Sequence, residues 1–167
     1  MAGILGLELC EDAQQAFGRT KLRGERGLAW AVLRVDDEKH CRVECTSQHA
    51  GRCDGDKGDG DAAGEAAQQW GRMVGRLPED GCRYVVANME YESATDGVAR
   101  NKLVLVMWAP AGASGRDKMM TTMYVSTLKR ALEAHGGGIS ATVQANGRAD
   151  VERGAVLERV LARCTVR

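Results

Sequence analysis

The chain has 167 residues, 44% of them hydrophobic and 28% charged, which is enough apolar material for one self-sufficient domain over residues 1–167. No run approaches the ~18 apolar residues of a membrane span, so no stable membrane insertion is expected. With 23 Lys+Arg against 23 Asp+Glu, no net field draws nucleic acid or anionic lipid to the molecule as a whole, and a charged partner has to be met by a local patch. The first 17 residues lack a basic start and carry acid by Glu8, so they read as no secretory signal. Six cysteines at irregular spacing (Cys10, Cys41, Cys45, Cys53, Cys82, Cys164) fit a reduced, cytoplasmic protein with free and mostly buried thiols.

Leu9, Ala13, Ala16 and Phe17 recur at helical spacing and predict a helix over 8–18, with Gly18 as its stop. Two β-prone runs, 28–35 and 41–46, flank the polar Asp36 to Lys39 and predict a hairpin, with Cys41 and Cys45 on one face of its second strand. Residues 48–64 are rich in Gly and Asp without periodicity and read as a solvated loop insertion. A second helix is predicted over 65–77, with apolar positions Ala66, Trp70, Met73, Val74 and Leu77, and Pro78 ends it. Strands follow over 82–91 and 103–108, separated by a turn at 93–97. The stretch 116–134 has neither Gly nor Pro and runs into three glycines, which predicts the longest helix. A strand over 139–144 and a helix over 150–163, striped by Val151, Ala155, Val156, Val160 and Leu161, complete the chain. The expected class is α/β in the layered α+β sense, a mixed sheet of about five strands with helices on both faces.

Several strings in this order are similar to those of the actin-depolymerising factor/cofilin family. They are Leu77-Pro78-Glu79-Asp80-Gly81-Cys82-Arg83-Tyr84, the strand from Lys102 to Trp108-Ala109-Pro110, and Arg116-Asp117-Lys118-Met119 at the start of the long helix. Leu128-Lys129-Arg130-Ala131-Leu132, Val143-Gln144-Ala145 and Val156-Leu157-Glu158-Arg159-Val160 follow in order. The chain departs from the family's pattern at Met120 to Thr127, in the long 48–64 insertion, and in having no serine before Ser47, where many members carry a phosphorylatable one.

The resemblance implies an actin-depolymerising factor homology fold, gelsolin-like in architecture. It implies a monomeric, non-enzymatic protein that binds monomeric and filamentous actin, severs filaments, and works in the cytoplasm at the actin cytoskeleton without a cofactor. Carried over by position, Arg116, Lys118, Met119, Lys129 and Arg130 would contact monomeric actin. Arg100, Lys102, Glu158 and Arg159 would contact the filament. Phosphoinositides are a further implied partner of the bases. The runner-up is a coactosin-like filament binder without severing.

The residues themselves add two observations. Residues 100–135 hold six bases (Arg100, Lys102, Arg116, Lys118, Lys129, Arg130) against two acids, Asp117 and Glu133, a patch suited to an acidic protein surface. Arg116 and Lys118 open a helix, where positive charge opposes the macrodipole, so helix stability does not account for them. Among the methionines of that helix, Met119 and Met123 share a face and Met120 points about 100° away. The line Met120, Tyr124, Leu128, Ala131 is then core, and Met119, Met123, Thr127, Arg130 form a surface stripe with flexible apolar knobs.

Other chemistries fit less well. Residues 54–65 imitate a calcium loop and keep a calcium-sensing domain as an alternative of another class, but Gly58 and Asp59 reverse the required order of ligand and turn glycine. His40, Cys41, Cys45, His49 and Cys53 match no zinc spacing. The three histidines lie outside any nucleophile motif, and Gly136-Gly137-Gly138 follows a helix instead of opening one, so neither catalysis nor a phosphate cradle is expected.

Overall fold

A computed structural model describes residues 6–22, 27–47 and 62–164. The calcium-like segment before Ala62, the rest of the Gly/Asp-rich insertion from residue 48, and His49 and Cys53 lie outside the described residues. The elements are β1 (Glu8–Leu9), α1 (Glu11–Thr20), β2 (Trp30–Val35), β3 (His40–Thr46), α2 (Ala62–Arg76), β4 (Arg83–Glu92) and β5 (Ala99–Trp108). They continue with α3 (Gly115–Ala134), β6 (Ile139–Ala145), a short 3-10 helix (Arg148–Val151) and α4 (Arg153–Cys164).

The strands form one mixed sheet of six, in the order β1-β3-β2-β4-β5-β6. β4 and β5 pair antiparallel over ten residues, from Arg83 opposite Trp108 to Glu92 opposite Ala99. β6 returns parallel to β5 after α3 crosses over, as parallel pairing requires. Because β4 and β5 are covered on both sides, they read as nearly continuous apolar runs, and alternate residues serve different cores. Tyr84, Val86, Leu103, Leu105 and Met107 pack with α1 and α3, around Phe17, Tyr124, Leu128 and Leu132. Val85, Ala87, Met89, Val104, Val106 and Trp108 pack with α2 and α4, around Trp70, Met73, Val156 and Val160.

Four expectations are corrected. The sheet has six strands instead of about five, because Glu8–Leu9 leaves the expected first helix and pairs parallel with His40 and Cys41. That helix starts at Glu11, with Glu11 and Asp12 favourably placed in its first turn, and runs through Gly18 to Thr20. Gly18 fails as a stop because Phe17 and Thr20 on either side of it are buried, so packing outweighs the weak helix propensity of glycine. β5 begins at Ala99, before the apolar run, because ladder pairing with β4 extends through its polar end.

Cys41 and Cys45 do not share a face. The β2–β3 register shifts between Val32 and Leu33, where Cys45 faces Val32 and Val43 faces Leu33. This bulge sends Cys41 into the core under α1 and leaves Cys45 against the core on the opposite side. Of the described thiols only Cys41 is fully buried; Cys10, Cys45 and Cys82 are half-buried and all are free.

Candidate functional site

The start of α3 is built on the turn that the string Leu77 to Tyr84 forms. The Trp108 indole N–H donates to the Pro78 carbonyl at 2.7 Å, and Arg148 lies over the Trp108 ring, 5.4 Å from its centroid. The Arg148 guanidinium also donates to the carbonyls of Val74 and Leu77, closing the end of α2. The backbone of Gly112 then rests on the Glu79 carbonyl, with no room for a side chain. Ser114 caps α3 by accepting from the Asp117 amide at 3.1 Å. On the far side, the Tyr84 hydroxyl donates to the Thr121 carbonyl at 2.5 Å, fixing the helix to the sheet.

Anchored in this way, α3 buries Thr121, Tyr124, Thr127, Leu128 and Leu132 and turns its opposite side outward. Met119 and Met123 are 57% and 48% exposed, among the most exposed large apolar side chains of the described residues. Met120 and Ala131 pack against the core, as the helical spacing predicts. Thr127 does not belong to the outer stripe: it is 6% exposed, and Ser126 is the solvent-facing residue. The stripe is therefore Arg116, Met119, Met123, Ser126 and Arg130.

Lys118 and Lys129 flank the stripe on one side, since eleven residues bring a helix back to within about 20°. The Lys118 ammonium donates to the Ala111 carbonyl at 3.0 Å. Lys129 lies 3.9 Å from Glu133 in a loose pair. Arg116 and Arg130 are exposed, without an ion-pair partner among the described residues. Along the axis, Arg116 and Arg130 stand about 21 Å apart, so the first-turn group and the Lys129-Arg130 group are separate ends of one face.

The other candidates lie on the opposite side of the sheet. Lys102 is in register with Met89, whose side chain belongs to the core under α2 and α4, and Arg100 is in register with Tyr91. Arg100 pairs with Asp96 at 2.5 Å. The Asp96 carboxyl is held below its ordinary range, first by a hydrogen bond from Ser93, then by the Val98 amide and Arg100. α4 crosses the sheet, with Arg153 at its start bonded to the Glu90 carbonyl on β4. Further along, Arg159 and Arg163 bond to the Gln144 and Thr142 carbonyls on β6. Glu158 is exposed. Arg159 is committed within the protein, donating to Gln144 O at 2.9 Å and Asp150 Oδ1 at 3.1 Å. The sequence candidates thus fall into two groups on two faces. Sequence reasoning missed Arg148, whose role depends on carbonyls more than seventy residues away, and it passed over Arg153, an unexplained base at a helix start.

A sheet between two helical layers, with a methionine-bearing helix face flanked by bases, defines a binding module. The sequence model of the family described as Cofilin/tropomyosin-type actin-binding protein matches residues 6–161, and the chain belongs to that family. It is a family of actin-binding proteins, not of enzymes. The cofilin of Schizosaccharomyces pombe is 36% identical over 156 residues, 93% of this chain and 95% of that protein. The cofilin of Yarrowia lipolytica is 31% identical over 155 residues, 93% of this chain and 86% of that one. A crystal structure of Streptomyces griseoflavus cofilin has the same fold, with a TM-score of 0.68, 24% identity, and coverage of 93% of this chain and 97% of that one. No helix among the described residues is long and apolar enough to cross a membrane.

Proposed function

We propose that this chain binds both monomeric and filamentous actin and promotes filament severing and depolymerisation, as a monomer and without covalent chemistry. The observation that carries the reading is the family match over residues 6–161. It is supported by the exposure of Met119 and Met123 on a helix face bordered by Arg116, Lys118, Lys129 and Arg130. Those bases and Met119 contact the monomer, with the methionines entering an apolar cleft and the bases meeting acids around it. Arg100, Lys102, Glu158 and Arg159 engage a second subunit that only a filament offers. Phosphoinositide headgroups compete for the same bases.

Severing then follows from binding alone. A ligand with higher affinity for one filament twist shifts the filament toward that twist by its differential affinity, and strain gathers where bound and bare segments meet. Co-sedimentation with filamentous actin, with and without calcium, together with filament lengths by microscopy, tests the reading. Pelleting with shortened filaments is expected. Pelleting without shortening selects the coactosin-like alternative, and binding that requires calcium selects the ion-sensing one.

A further inference from the structure

We infer that Arg153 is a further contact residue of the filament-facing surface, lying on the same sheet face as Lys102 and taking an acidic segment of the second actin subunit. The inference rests on the filament-binding reading above.

Arg153 opens α4, whose first turn contains no acid. A cation there opposes the helix dipole, so its position is not explained by helix stability. Its guanidinium reaches across to the Glu90 carbonyl on β4, past the end of β2, whose register pairs with β4 stop at Ala87. Glu90 is opposite Asn101 on β5, between the positions of Arg100 and Lys102. Because side chains alternate along a strand, Lys102 and Arg100 lie on the side of Met89 and Tyr91, which is the side α4 covers. Lys102 and Arg100 on β5 and, across β4 from them, Arg153 therefore lie toward the hairpin end of one sheet face, which also carries the half-buried Tyr91.

The charges at this corner do not cancel. Arg100 is matched by Asp96, but neither Lys102 nor Arg153 has a carboxylate partner among the described residues. The strand acids Glu90 and Glu92 alternate onto the other face. Glu152 precedes Arg153 and is solvent-exposed. What remains is an excess of positive charge on half-buried bases with an aromatic neighbour, which fits an acidic protein segment.

The test uses three variants, Arg153→Gln, Arg153→Glu and Arg153→Lys, in filament co-sedimentation and monomer binding, with melting curves alongside. Gln keeps side-chain N–H groups for the Glu90 carbonyl but removes the charge. It is expected to weaken filament binding about fivefold and flatten its salt dependence. Monomer affinity should stay within about threefold and the melting temperature should not move. Glu should weaken filament binding by more than about tenfold, and Lys should restore most of it. If wild type pellets with filaments and Gln and Glu pellet equally well, Arg153 only fastens α4 to β4 and the assignment is overturned. If wild type itself stays in the supernatant, the actin reading fails and takes this assignment with it.

Discussion

The Cα of Gly112 rests against the Glu79 carbonyl so closely that an added Cβ would stand 2.4 Å from that oxygen. The contact joins the turn after α2 to the loop that launches α3, and Ser114, two residues on, caps the helix. Gly112→Ala should push the loop off its seat, lowering stability by about 1 to 3 kcal/mol, as overpacking does. Because the loop sets where Arg116 and Met119 stand, monomeric-actin affinity should fall as well. Denaturant melts and monomer titration measure the two effects.

Arg116→Ala with Lys118→Ala should weaken monomer binding by about 1.5 to 4 kcal/mol if both bases meet acids in a partly desolvated contact. Stability should change by no more than about 1 kcal/mol, the scale of the single Lys118 bond to Ala111. Unchanged monomer affinity in this double variant would remove α3 from the contact surface.

Tyr84→Phe deletes the hydroxyl that donates to the Thr121 carbonyl, while that carbonyl, inside α3, keeps its intrahelical partner. A loss of about 0.5 to 1.5 kcal/mol, the net worth of one hydrogen bond, is expected from the denaturation midpoint. Burial, the largest cause, raises the Tyr84 phenol well above its ordinary range, so it remains a donor at any pH the protein meets.

Acid should destabilise the fold through Asp150. The Asn146 amide, then the Arg159 guanidinium, hold its carboxyl below the ordinary 3.8. A group with a depressed folded pKa contributes stability that is present above the unfolded value and lost as pH falls through the folded one. Melting temperature should therefore fall once pH drops below 3.8, and Asp150→Asn should flatten that decline while lowering the plateau near neutral pH. An equally steep acid limb in the variant would exclude Asp150 as a source. The same bridge makes Arg159 a poor probe of filament contact, since Arg159→Ala also frees Asp150. Arg100, Lys102 and Glu158 changed together to Ala isolate the surface better: filament binding should fall while monomer affinity stays within about threefold.

Thiol reactivity should rank by burial. Burial pushes the Cys41 thiol up to about 12, so it should be the last of the described cysteines to alkylate. Cys10, Cys45 and Cys82, half-buried, should react first, as peptide mapping by mass spectrometry would show.

The exposed methionines were legible because helix arithmetic alone puts Met119 and Met123 on one face and Met120 on another. The same arithmetic, carried one residue too far, misassigned Thr127: seven residues return a helix to within about 20° of its start, eight overshoot by about 80°. The two-residue β1 was not legible, since Glu8-Leu9 carries no period of its own and is a strand only because His40 and Cys41 lie beside it.

The sequence by itself determined the nearly continuous apolar runs that make β4 and β5 two-sided, the stops and caps around α3, and the family strings along the chain. These are short-range properties, set by side-chain period and backbone preference within a few residues. Only the tertiary structure decided that Gly18 stays helical, that a bulge sends Cys41 and Cys45 to opposite cores, that Arg159 is bound to Asp150 and Gln144, and that Arg153 reaches the Glu90 carbonyl. Each of these depends on a partner distant in the chain or on strand register, and the energy of burial and of unpaired carbonyls, which no local pattern encodes, selects among locally equivalent arrangements.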